Sequence, residues 1–64
     1  MRGRIESYSG KFHVGFIAPT GGGELVLFTL NAVAGGCTPV VGQSVEHELY
    51  AQSRKPEAKR VVCL

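Results

Sequence analysis

The chain has 64 residues, with seven Lys and Arg against five Asp and Glu for a formal charge of +2. That length holds one small core and leaves little room for a large active-site cavity, and the mild basicity suits a polyanionic partner without requiring one. Nine Gly and three Pro force frequent turns, so helix must be scarce and an all-β domain over residues 1–64 is expected.

No apolar run approaches the roughly 18 residues of a membrane span. Met1-Arg2-Gly3-Arg4 leads into a strand pattern rather than a signal-peptide core, so the expectation is a cytoplasmic protein with no membrane association. In that setting Cys37 and Cys63, which lack a second pair to complete a metal knuckle, are expected as free thiols with no assigned function.

Taken in chain order, the first expected strand is Arg2 to Tyr8, ended by the turn pair Ser9-Gly10. The second is Phe12 to Ile17. Alternation places Phe12, Val14 and Phe16 on one face of it and His13, Gly15 and Ile17 on the other. Ala18 to Glu24 is a connection rich in Pro and Gly, and its Gly21-Gly22-Gly23 run lacks the Lys-Ser/Thr of a phosphate loop and opens no helix.

Leu25 to Leu30 forms the third strand, either buried on both faces or presenting Leu25, Leu27 and Thr29 to a partner. A loop from Asn31 to Gly42 leads into the fourth, Ser44 to Tyr50, where Val45, His47 and Leu49 alternate with Ser44, Glu46, Glu48 and Tyr50. The polar stretch Gln52 to Arg60 is a charged turn, and a fifth strand runs from Arg60 to Leu64.

Nothing in this pattern has the spacing of an enzyme site. His47 and His13 stand without a second ligand or a nucleophile to activate, and Glu46 with Glu48 reads as a solvated strand edge. No catalytic residue, metal or cofactor is implied. Aromatic side chains on a strand face flanked by cations are what a single-strand binder needs, because any base can stack on an exposed ring. The bland alternative makes Phe12 and Phe16 core residues.

Five short strands with long loops fit a five-stranded antiparallel Greek-key barrel of the oligonucleotide-binding (OB) type. The succession Gly3-x-Ile5, Gly15-Phe16-Ile17, Pro19 with Gly21-Gly22-Gly23-Glu24, Asn31-Ala32-Val33 and Gly42-Gln43-Ser44-Val45 resembles the bacterial cold-shock protein family over essentially the whole chain. The resemblance implies such a barrel and binding of single-stranded RNA or DNA through aromatic residues on the first three strands.

Carried over by position, that surface has lost rings. Ser7 stands where the family has tryptophan, and Tyr8 where it has phenylalanine. Phe12-His13-Val14-Gly15-Phe16-Ile17 keeps only Gly15, Phe16 and Ile17 of the first ribonucleoprotein motif, while Leu27, Thr29 and Leu30 replace two rings and a histidine of the second. The expected function is therefore weakened, cold-shock-like binding of single strands. The residues implied are Tyr8, Lys11, Phe12, His13, Phe16, Leu27 and Thr29, with Arg54, Lys55, Lys59 and Arg60 tracking the backbone. The second expectation is a protein-interaction or self-association module using the apolar strip Val14, Leu27 and Leu30.

Overall fold

The computed structural model describes residues 1–51 and 54–64. Five strands, β1 (Arg2–Ser9), β2 (Val14–Pro19), β3 (Val26–Thr29), β4 (Ser44–Leu49) and β5 (Ala58–Cys63), form one antiparallel sheet in the order β3-β2-β1-β4-β5. A single 3-10 turn, Leu30–Ala32, follows β3. No helix among the described residues is long and apolar enough to cross a membrane.

The all-β expectation holds. The sheet is not closed by a continuous ladder: β3 meets the chain entering β5 at an isolated bridge between Leu27 and Glu57, and Val33 meets Val61 at another. Extents of 24 × 21 × 19 Å show that this single layer curls around its contents rather than lying flat. Inside the curl lie Ile5, Ile17, Val26, Phe28, Val45, Ala58 and Val61, all buried. Each sits on the inward side of an alternating strand, which is how so short a chain builds a continuous apolar core.

Register explains the packing at the centre. Tyr8 pairs with Gly15 and Gly15 with Phe28, so the three residues form one row across β1, β2 and β3. A Cβ on Gly15 would overlap the Ser7 carbonyl oxygen and lie 2.8 Å from the Phe28 ring. Its absence lets Tyr8 and Phe28 stack across the gap, with ring centroids 6.0 Å apart and planes 14° from parallel.

Several expected boundaries move. Phe12 and His13 belong to the β1–β2 turn rather than to β2, because their backbone N–H groups donate to the Ser9 hydroxyl (3.3 Å) and the Ser9 carbonyl (2.8 Å). The two-face alternation assigned to 12–17 therefore applies only from Val14. Strand β2 runs on to Pro19, Leu30 leaves β3 for the 3-10 turn, and β5 begins at Ala58, so Lys59 and Arg60 are strand residues. In β3, Val26 and Phe28 are buried while Leu27 and Thr29 are half-buried, a one-sided strand rather than a doubly buried one.

The free-thiol expectation is also corrected. Cys37 and Cys63 form a disulfide, with Cα atoms 6.2 Å apart and a sequence separation of 26. Close approach is arranged by the backbone: Ala34 N–H donates to the Val61 carbonyl at 2.8 Å, which lays the loop after the 3-10 turn along β5.

Candidate nucleic-acid interface

The outward face is set by an irregularity in β1. Ile5 pairs with Ile17 and Ser7 with Phe16, so Glu6 is an extra residue opposite β2. A bulge of this kind shifts the side-chain phase by one. Before it Gly3 and Ile5 turn inward; after it Tyr8 does, and Ser7 and Ser9 turn outward. Two rows then cross the outer face, Ser7-Phe16-Leu27 and Ser9-Val14-Thr29.

Phe16 is 40% exposed in the first row. Phe12, in the turn above it, is 69% exposed, with the Lys11 ammonium 5.4 Å from its ring centroid. Leu30 at the start of the 3-10 turn and Leu25 just before β3 add to the apolar surface. The β1–β2 turn and the 3-10 turn are tied together by Leu30 N–H donating to the His13 carbonyl at 2.8 Å. Between them lies a cleft of about 280 Å³ lined by Phe12, His13, Val14, Thr29, Leu30 and Asn31.

Of the residues singled out in the sequence, Lys11, Phe12, His13, Phe16, Leu27 and Thr29 come together around this face and cleft. Tyr8 is half-buried and packs inward against the core on Phe28. Arg54 and Lys55 are exposed and precede Pro56, whose carbonyl accepts from Leu27 N–H at 3.0 Å, so these cations enter beside the edge of β3. Lys59 and Arg60 are exposed on β5, where Arg60 stands opposite Glu48 of β4 and Lys59 follows the Glu57 bridge to Leu27 by two residues. Gln52 and Ser53 of the expected charged turn lie outside the described residues.

The apolar strip of the second expectation, Val14, Leu27 and Leu30, falls within the same surface. Sequence reasoning missed Asn31. As a polar residue directly after the apolar run of β3 it carried a signal, but only the 3-10 turn brings it to the cleft.

His47 is the one buried polar side chain among the described residues, 1% exposed, and neither ring nitrogen has a hydrogen-bond partner there. It lies in the core itself. Burial, and secondarily the nearby α-ammonium, hold its pKa below the usual 6.5, while the Glu46 carboxylate opposes them. Glu46 accepts a hydrogen bond from that ammonium at 2.9 Å and pairs with Arg2 at 3.3 Å; the bond to the ammonium is the main cause that holds its carboxyl below 4.5.

These shifts predict a pH profile. Above pH 6.5 His47 is neutral in both states and stability is flat; as pH falls below that value, the unfolded chain binds a proton that the folded one resists, and stability drops. Glu46 adds a separate loss, beginning below 4.5. His47→Leu is expected to remove the upper loss and leave neutral-pH stability equal or higher, because it removes two unsatisfied polar atoms. Urea midpoints between pH 4.5 and 8 check this. An undiminished slope from 6.5 to 5 in the variant would be inconsistent with it.

Set against models of known protein families and against curated proteins, the chain matches none.

Proposed function

We propose that the chain is a cytoplasmic, cold-shock-like barrel of the OB type that binds single-stranded RNA or DNA weakly and acts as a binding module rather than an enzyme. The exposed Phe16 carries this reading: it stands in the middle of an outward row, with Phe12 and Lys11 above it. A ring left in water on the central strands of a small domain is available to stack on a base. The strand order and the bridge from β3 to the start of β5 are those expected of a partly open five-stranded barrel, which supports the finer fold assignment.

Weakness follows from what surrounds the ring. Ser7 and Leu27 flank Phe16 where stacking would call for aromatics, and Tyr8 is turned to the core. Electrostatics then carry a large share, from Lys11, Arg54 and Lys55.

Titration with oligo-dT and oligo-U at several salt concentrations is expected to give a log affinity that falls against log salt. The expected slope is roughly −1.5 to −2, that of two or three phosphates at about −0.7 each on a single strand. Affinity that is unchanged or stronger at high salt would favour the apolar use of this surface, through Val14, Leu27 and Leu30, with a protein or a second copy as partner.

A further inference from the structure

His13 is the only non-glycine residue among those described with a positive φ, 58°. A left-handed conformation costs an ordinary L-residue on the order of 1 kcal/mol, and a turn that needs it is normally given to glycine, with Asn, Asp and His the next most frequent. Here the chain places an imidazole instead, exposed, at the wall of the cleft between Phe12 and Val14. Its backbone is held on both sides: His13 N–H donates to the Ser9 carbonyl, and the His13 carbonyl accepts from Leu30 N–H, each at 2.8 Å. Non-glycine residues kept in such a conformation concentrate where a side chain is needed at a fixed place.

The lining states what that place would hold. It combines an aromatic residue, Phe12, two apolar ones, Val14 and Leu30, and three with polar side chains, His13, Thr29 and Asn31. At about 280 Å³ the cleft falls just short of the roughly 300–1,000 Å³ of pockets for drug-sized ligands, which suits a single ring system. A nucleobase has this chemistry: a flat face to stack, and an edge bearing both donors and acceptors, which a carboxamide such as that of Asn31 can match from both its groups. Lys11 beside Phe12 supplies positive charge at the same mouth for the attached phosphate.

We propose that this cleft receives one unstacked base of a bound single strand, and that His13, held left-handed, sets which base it accepts. The inference rests on the single-strand reading above and assigns that reading a specific pocket. His13 contacts the base edge together with Asn31, while Phe16 serves the neighbouring base by stacking alone.

The test compares the native protein with His13→Gly, Asn31→Ala and Phe16→Ala, each titrated with oligo-dT, oligo-dA, oligo-dC and oligo-U at low salt and each melted without ligand. His13→Gly is expected to melt at the same or a higher temperature, since glycine relieves the backbone. It is expected to lose roughly three- to tenfold in affinity for the preferred base, the effect of one hydrogen bond, and to flatten the ranking among bases. Asn31→Ala should flatten the same ranking. If Phe16→Ala weakens binding while both cleft variants keep native affinity and ranking, the pocket assignment is overturned and the single-strand reading stands. If the native protein binds none of the four, both fall. A higher melting temperature for His13→Gly with unchanged affinity and ranking would reduce His13 to a turn residue and overturn the inference.

Discussion

With the Cys37–Cys63 bridge reduced, Phe28→Ala is expected to leave the domain largely unfolded at room temperature. Phe28 is completely buried, stacks on Tyr8 and fills the space that Gly15 leaves open in the middle of the sheet. Truncating a buried phenylalanine costs about 3–5 kcal/mol, from lost transfer energy and from the cavity left behind. A single core in a domain below about 70 residues seldom supplies more than about 3–5 kcal/mol of net stability. The two quantities are equal in size, so the loss removes most of the folded population. Circular dichroism and urea titration would read it directly. Phe16→Ala is the internal control: the ring is 40% exposed, and its loss should cost no more than about 1 kcal/mol. A cooperative Phe28→Ala transition near the native midpoint would contradict this view of the core.

Opening the Cys37–Cys63 bridge is the second large effect. The bridge closes a sequence separation of 26, which in the chain-entropy account of disulfides corresponds to about 3.5 kcal/mol at room temperature. It joins the end of β5 to a loop already held by the Ala34 to Val61 hydrogen bond and the Val33–Val61 bridge, so its closure demands little rearrangement of the folded chain. Reduction is therefore expected to lower the melting temperature markedly without changing the folded secondary structure, and replacing both cysteines by serine should reproduce the reduced form. Alkylation followed by mass measurement establishes the thiol state in each sample. Equal melting of verified oxidised and reduced protein would contradict it. In a reducing compartment the thiols would be open, and the apolar core alone would hold the fold.

Much of the architecture is legible in the residues. Ser44 to Leu49 alternates cleanly, and Val45 and His47 point inward as the pattern requires. Gly15-Phe16-Ile17 alternates as the pattern requires, and the structure decides between the two readings of Phe16 by turning its ring outward between two inward residues. Leu27 and Thr29 follow from the same rule on β3.

What the pattern hides has local causes. Phe12 and His13 look like strand residues because an aromatic and a β-tolerant side chain precede Val14, yet the Ser9 hydroxyl and carbonyl capture their N–H groups and make a turn. The extra residue Glu6 shifts the phase of β1, and nothing in Arg4-Ile5-Glu6-Ser7-Tyr8 distinguishes that from uninterrupted alternation. Tyr8 consequently joins the core. The pairing of Cys37 with Cys63 depends on where a Gly-rich loop lies against β5, a long-range placement with no local signature.

The most direct test of the proposed function is a titration of isotope-labelled protein with short oligo-dT and oligo-U at low salt, following backbone amide shifts residue by residue, with Phe16→Ala alongside. Shifts at Lys11 to Phe16 and Leu27 to Asn31 that fade as salt rises, and an affinity reduced roughly five- to a hundredfold in Phe16→Ala, the range for one lost stack, are the expected result. An absence of shifts at millimolar oligonucleotide would contradict single-strand binding, and would turn attention to Val14, Leu27 and Leu30 as a surface for another protein or a second copy.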